Sequence, residues 1–92
     1  MPKEVGVLYK TDGTITEVLP ANGRVFVLQD FQKYVNGYIE VVPGSRPHAY
    51  WHDSGLIHGL PENFAASQKF GQKLFGNVIQ VFRSKEKLDA CR

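Results

Sequence analysis

The hydrophobic and polar positions at the start of the chain predict a β-hairpin. From Glu4 to Lys10 the apolar side chains stand mostly at alternate positions, and apolar residues resume in Thr14–Leu19. Alternation with a period of two is typical of a strand that is buried on one face. Asp12-Gly13, between the two segments, is a favoured pair for a two-residue hairpin turn. We therefore expect an antiparallel hairpin over residues 4–19.

Two later segments have the apolar spacing of helices. Residues 28–36 carry apolar side chains at helical intervals, and Asn36-Gly37 supplies a left-handed stop. Asn63 can cap a second helix through its side-chain oxygen. Its firmer part is 64–70, because Gly71 weakens any continuation.

Short runs of apolar and aromatic residues predict further strands. Tyr38–Val42 is apolar at both parities, which indicates a central strand buried on both faces. Glu40 within it favours an edge or interface partner, because a carboxylate is costly to bury unpaired. The other expected strands are Arg24–Val27, His48–His52, Leu56–His58 and Asn77–Arg83. The order predicts one α+β domain over 1–83, a mainly antiparallel sheet of about six strands with two short helices, followed by a charged tail, 84–92.

Composition and charge exclude several classes of protein. A chain of 92 residues suits one domain, and no apolar run reaches the ~18–20 residues of a membrane span. The net charge of +2 is too weak for a dedicated nucleic-acid binder and has the wrong sign for an acidic DNA mimic. Cys91, the single cysteine, excludes an internal disulfide and a cysteine-based zinc site, and favours a reducing cytosol.

The densest cluster of polar and aromatic residues is 46–53, with His58 close behind. Alternate residues of a strand share a face, so a strand here places His48 and His52 on the same side. They stand ~13 Å apart along the strand, too far to bind one ion. His52 with Asp53 or His58 stays open as a metal or acid–base pair. The favoured role for these histidines is as surface or cross-strand partners.

Aromatic and basic residues beside the loop of Pro43–Pro47 suggest nucleotide binding. Tyr50 and Trp51 can stack on a base, an interaction worth ~1–3 kcal/mol, and Arg46 can bind phosphate. For Trp51 a place in the core or an oligomer interface is favoured, because buried aromatics dominate core energetics. The chain has no phosphate-binding glycine motif and no nucleophile elbow, so we expect no catalytic residue, metal or cofactor. The candidate ligand contacts are Arg46, Tyr50, Trp51, His52 and Asn63.

Four stretches carry a resemblance over nearly the whole chain. They are Glu17–Gly23, Gly37–Pro43, Asp53–Asn63 and Gly76–Phe82. In this order they resemble a domain-of-unknown-function family of small proteins encoded by bacteriophages and conjugative plasmids. The most specific element is the Gly-Tyr-Ile-Glu-Val-Val strand, which is followed at a distance by an Asp/Glu-x-Gly turn and a Gly-Leu-Pro-x-Asn segment. The family usually carries Asn-Glu before the turn glycine, where the matching stretch of this chain is His52-Asp53-Ser54-Gly55.

The resemblance implies an accessory protein of a mobile element in the cytoplasm of a bacterial host. Small phage proteins often counter host immunity, and one class forms oligomers that sequester cyclic ADP-ribose isomers or cyclic dinucleotides. By that analogy we expect a homo-oligomer that binds a small anionic nucleotide, without a membrane or sequence-specific nucleic acid as partner. One alternative is an inhibitor of a host defence protein, acting through a sheet edge or the Trp51 surface. Another is an enzyme that cleaves such nucleotides with His52 and His58.

Overall fold

The structure, a computed structural model, describes residues 3–52 and 59–83. Within these residues it contains, in chain order, β1 (Glu4–Tyr9), β2 (Ile15–Val18), α1 (Leu28–Val35), β3 (Ile39–Val41), β4 (Ala49–His52), α2 (Phe64–Phe70) and β5 (Val78–Arg83). The predicted α+β class is confirmed, with five strands rather than about six in the sheet. The expected strand at Leu56–His58 and the expected tail lie outside the described residues.

The sheet has the strand order β2-β1-β5-β4-β3, and each neighbouring pair is antiparallel. The predicted hairpin of β1 and β2 is confirmed, with Gly6 opposite Val18. β5 lies at the centre and pairs with β1 along its whole length. The consecutive residues Val78, Ile79 and Gln80 are all buried. A strand that is covered on both faces is expected to carry apolar side chains on both of them. Val78 and Ile79, at the start of β5, follow this rule.

β3 is an edge strand, so the prediction of a central strand at Tyr38–Val42 is wrong. Tyr38 is 74% exposed and Val41 is 43% exposed, and Glu40 also faces solvent. β5 occupies the central place instead, because it meets β1 and β4 on its two edges. The exposed Glu40 carboxylate agrees with the edge position that its charge favours.

The expected strand at Arg24–Val27 is also wrong, because the segment pairs with the start of β1 without forming a ladder. The carbonyl of Arg24 accepts hydrogen bonds from the N–H groups of Lys3 and Glu4, at 2.9 and 3.1 Å. The N–H of Phe26 donates to the Glu4 carboxylate at 2.9 Å. One carbonyl and one side chain thus replace the alternating bonds of a strand pair.

α1 confirms the predicted helix at 28–36 and covers one face of the sheet. At its start the Asp30 carboxylate accepts the N–H of Val27 at 3.1 Å. At its end Asn36 adopts a left-handed conformation with φ 69°, and its N–H donates to the carbonyl of Gln32 at 2.7 Å. The buried side chains on this side, the α1 face, are Leu8, Phe26, Val35 and Ile79.

α2 confirms the second predicted helix and covers the opposite face. It ends at Gly71, whose φ of 65° is left-handed, so 71–75 does not continue the helix. The buried side chains on this side, the α2 face, are Tyr9, Val42, Ala49, Ala66, Leu74 and Val78. Burial there raises the pKa of the Tyr9 phenol. The core therefore consists of two layers, one on each side of β5.

Asn63 joins α2 to the sheet and is 0% exposed. Its Oδ1 accepts the N–H of Ala66 at 3.0 Å, which is the predicted helix cap. Its Nδ2 donates to the carbonyls of Tyr9 and Gly76, at 2.8 and 2.9 Å. All the bonds of this amide thus lie within the chain, where they fix the start of α2 against the end of β1.

Replacing this amide should strongly destabilise the fold. We expect Asn63→Ala to lower the free energy of unfolding by about 3–5 kcal/mol, since the cap is lost and two buried carbonyls lose their donors. Urea denaturation followed by circular dichroism measures the loss. Asn22→Ala is the matched control, because the Asn22 side chain accepts its hydrogen bonds on an exposed turn. Equal, small losses in both variants would contradict the structural role of Asn63.

Candidate functional site

The connection between β3 and β4, residues 43–48, is held firmly by one buried serine. Ser45 donates its hydroxyl to the carbonyl of Val42 at 2.7 Å. The same hydroxyl oxygen accepts the N–H of Ala49 at 2.9 Å. A side chain that bridges the two ends of a turn replaces backbone bonds and restricts the turn. We call this segment the 43–48 loop.

Two glutamines from other parts of the chain also hold the 43–48 loop. Gln80 of β5 donates its Nε2 to the carbonyl of Pro47 at 2.9 Å. Gln72 donates its Nε2 to the carbonyl of Pro43. Arg46 stands between these anchors with an exposed side chain, and the Arg46–Pro47 peptide bond is cis. The bonds to Pro43 and Pro47 therefore hold the backbone on both sides of Arg46, whose positive charge faces solvent.

A cavity of about 250 Å³ opens beside the loop on the α1 face. We call it the Tyr50 cavity; it is lined by Glu4, Ser45, Arg46, Pro47, His48, Tyr50, Val81 and Arg83. Arg46 and Arg83 contribute two permanent positive charges, against one carboxylate from Glu4. That carboxylate already accepts the N–H of Phe26. Among the described residues that line it, the cavity thus combines two basic side chains and one carboxylate with an aromatic wall.

The aromatic wall is supported by α1. The ring of Tyr50 lies against the ring of Phe31, with centroids 4.5 Å apart and planes inclined by 36°. Phe31 in turn stacks on Phe26, with centroids 5.7 Å apart. Tyr50 is half-buried, so this contact positions it while part of the side chain borders the cavity. A ring held in this way is suited to contact a planar ligand without losing much freedom.

A second cavity, of about 410 Å³, lies on the α2 face of the same loop. We call it the Gln80 cavity; it is lined by Pro43, Gly44, Ser45, Arg46, Lys69, Phe70, Gln72, Gln80 and Phe82. Its two charged lining residues, Arg46 and Lys69, are both basic. Arg46 therefore borders both cavities, one on each side of the sheet.

The structure brings together two of the five predicted contacts and separates the others. Arg46 and Tyr50 line the Tyr50 cavity. Trp51 points to the α2 face, where it packs half-buried against the cluster around Tyr9. This is the core placement that was favoured for Trp51. Among the described residues its indole Nε1 has no hydrogen-bond partner.

His52 lies on the same face of β4 as Tyr50 but lines neither cavity. It is 7% exposed, and its ring packs against the backbone of Gly37. Asp53 and His58, its proposed metal or acid–base partners, lie outside the described residues. Within the described ranges no group of three potential ligands is placed to hold a metal ion.

Asn63 is buried in the core, and each of its side-chain polar atoms is bonded within the chain. Its predicted role as a helix cap is confirmed. A ligand would have to break these bonds to reach it, so we do not include Asn63 among the ligand contacts proposed below.

The cavities also contain residues that the sequence did not single out as ligand contacts. Arg83 reaches the Tyr50 cavity because the central β5 lies between β1 and β4, which the sequence did not reveal. Lys69 is an exposed basic residue of α2, with nothing in its spacing to mark it. Gln80 had a detectable signal, since an amide within the apolar strand Val78–Arg83 requires a buried partner.

Comparisons of the chain with protein-family models, with curated proteins and with solved structures gave no match. The resemblance to a phage and plasmid family therefore stays a prediction. In the described part of the chain no helix is long and apolar enough to cross a membrane. Because no comparison matched, the site is interpreted from its own geometry.

The contact between Gly37 and His52 can be tested by a double-mutant cycle. A Cβ atom at Gly37 would clash with Nε2 of His52, so Gly37→Ala must displace a buried ring. We expect it to cost about 1–3 kcal/mol of unfolding free energy, as overpacked cores do. In a His52→Ala background the space exists, and the cost should fall by more than half. An unchanged cost in that background would show that the imidazole is not what excludes a side chain here.

Proposed function

We propose that the protein is a small accessory protein of a bacteriophage or conjugative plasmid that acts in the cytoplasm of the bacterial host. It binds and sequesters a nucleotide-derived immune signal, either a cyclic ADP-ribose isomer or a cyclic dinucleotide, and so counters anti-phage defence. It acts by binding rather than by catalysis, and as a homo-oligomer.

The observation that carries this proposal is the convergence of two arginines and a supported tyrosine ring at the Tyr50 cavity. Guanidinium groups bind phosphate oxygens through paired hydrogen bonds, and Arg46 and Arg83 both line this cavity. Tyr50 supplies the flat surface that a base requires. His48 adds a further donor beside them.

The size of the cavity supports the oligomer in the proposal. Its volume of about 250 Å³ is below the ~300–1,000 Å³ of typical small-molecule sites. A cyclic dinucleotide, with two bases and two phosphates, exceeds that space. A second subunit would enclose the remainder, as symmetric oligomers do when a ligand lies at their interface.

Direct titration tests the proposal. We expect isothermal calorimetry with cyclic ADP-ribose isomers and cyclic dinucleotides to show saturable binding of at least one of them. Arg83→Gln should weaken that binding by about 10–100-fold, because charge-assisted hydrogen bonds to phosphate contribute about 1.5–3 kcal/mol each. Arg24→Gln is the matched control, because Arg24 is exposed and lines neither cavity. Absence of binding across the whole panel, or equal losses in both variants, would overturn the proposal.

The same sample separates a binding protein from a nucleotide-cleaving enzyme. A sequestering protein should release its nucleotide intact when the complex is denatured by heat, and mass spectrometry identifies what is released. The burial of His52 also disfavours it as an acid–base group, because such a group must reach the proton it transfers. Recovery of a cleaved nucleotide, with intact ligand in a protein-free control, would favour the enzyme.

A second candidate function is supported by the exposed edge at β3. Unpaired strand edges can bind other chains by strand addition, and Tyr38 beside this edge is 74% exposed. An inhibitor of a host defence protein would use such a surface. A pull-down from host lysate that yields one stoichiometric protein, lost in Tyr38→Ser but retained in Arg83→Gln, would favour this function.

A further inference from the structure

Gln80, which lines the Gln80 cavity, carries a buried side-chain oxygen that has no hydrogen-bond partner among the described residues. Gln80 is 2% exposed, and its Nε2 donates to the carbonyl of Pro47 at 2.9 Å. That bond determines which end of the amide is which, because exchanging the two would set two acceptor oxygens against each other. Oε1 of Gln80 is therefore the other end, and it has no partner among the described residues.

A buried amide oxygen without a partner is unusual in a folded protein. Polar atoms that lose contact with water are almost always paired with protein or with an ordered molecule, so each exception requires an explanation. The strand neighbours of Gln80 are Val7 and Ala49, which offer no side-chain donor. The missing donor must therefore come from outside this part of the chain.

The walls of the Gln80 cavity define the remaining chemistry. Among the described residues, Lys69 and Arg46 are the charged ones that line it, and no described carboxylate does. Phe70 and Phe82 add aromatic side chains. The volume of about 410 Å³ lies within the ~300–1,000 Å³ of small-molecule sites.

We infer that the Gln80 cavity is a second binding site, which takes a small planar molecule with an N–H donor on its ring and a negative charge at its other end. The N–H group pairs with Oε1 of Gln80, the ring lies between the phenylalanines, and Lys69 with Arg46 binds the anion. Because Oε1 is shielded from water, the ligand must move a lining side chain aside to reach it. Lys69 and Arg46 are exposed, so their long side chains can turn without disturbing the core.

This inference does not rest on the function proposed for the Tyr50 cavity, since its acceptor, its aromatic residues and Lys69 all lie on the other face. The two sites share Arg46, so a substitution there cannot distinguish them. Lys69 and Gln80 line only the Gln80 cavity, and Arg83 lines only the Tyr50 cavity.

The probe is adenosine 5′-monophosphate, compared with purine riboside 5′-monophosphate, which lacks the amino group and is otherwise the same. Calorimetry should show that the full chain binds the amino-bearing probe about 5–10-fold more tightly, the usual effect of one hydrogen bond to a buried acceptor. In Gln80→Leu this preference should disappear. Since that variant also loses the bond to Pro47, its fold is first checked by circular dichroism.

Lys69→Gln supplies the test that does not depend on a core substitution. We expect it to weaken both probes by about 5–10-fold, since it removes a cation from the anion end. Lys73→Gln, which changes the net charge equally at an exposed residue outside the cavity, should leave both affinities unchanged.

Amide resonances locate the probe even if Gln80→Leu does not fold. In a ¹⁵N-labelled sample, adenosine 5′-monophosphate should shift the side-chain amide of Gln80 and the backbone amide of Phe70. Absence of binding, shifts confined to residues around Tyr50, or equal effects of Lys69→Gln and Lys73→Gln would each overturn the second site. Those outcomes leave the titrations with cyclic nucleotides, and hence the proposed function, to be judged separately.

Discussion

The pairing of β5 with β1 on one edge and β4 on the other is the constraint on which the rest of the structure depends. It buries Val78 and Ile79 toward opposite faces, so each helix has an apolar surface to cover. It also places β2 and β3 at the edges, because each has a neighbour on one side in this sheet. The alternation along β5 then sends Gln80 to one face and Arg83 to the other, where each lines a cavity.

The bonds that stabilise the 43–48 loop also restrict its conformation, which favours the binding proposed above. Ser45 and Gln80 hold its backbone from inside, so the exposed Arg46 is presented without a large loss of loop freedom when a ligand arrives. One end of the Gln80 amide supports Pro47, while the other end has no partner among the described residues. A leucine at this position would avoid the unpaired oxygen but would leave the Pro47 carbonyl without its donor. The bond to Pro47 therefore accounts for an amide at this position, and the ligand proposed above would account for its oxygen.

The sequence predicted elements with local signals and failed where position depends on distant pairing. The two helices were predictable because Asn36 and Asn63 act within a few residues of the helix ends they define. Tyr38–Val42 and Val78–Arg83 have similar apolar runs, and nothing local says which lies at the centre; Glu40 was the one indication that the former is an edge. For the site, the loop sequence was enough to propose Arg46 and Tyr50. It did not predict Arg83 or Gln80, because their cavities form only when β5 is placed beside β4.

Arg46 makes the two proposed sites dependent on each other. One guanidinium borders both cavities, and it cannot contact anions on both faces of the sheet with all its donors at once. A ligand that draws the side chain to the α1 face removes a cation from the α2 face, and the reverse holds equally. Linkage requires the two effects on affinity to be the same size, so occupation of either cavity should weaken the other by one shared factor. The two ligands would therefore compete without any change in the fold, because the exposed Arg46 side chain would turn toward one cavity or the other.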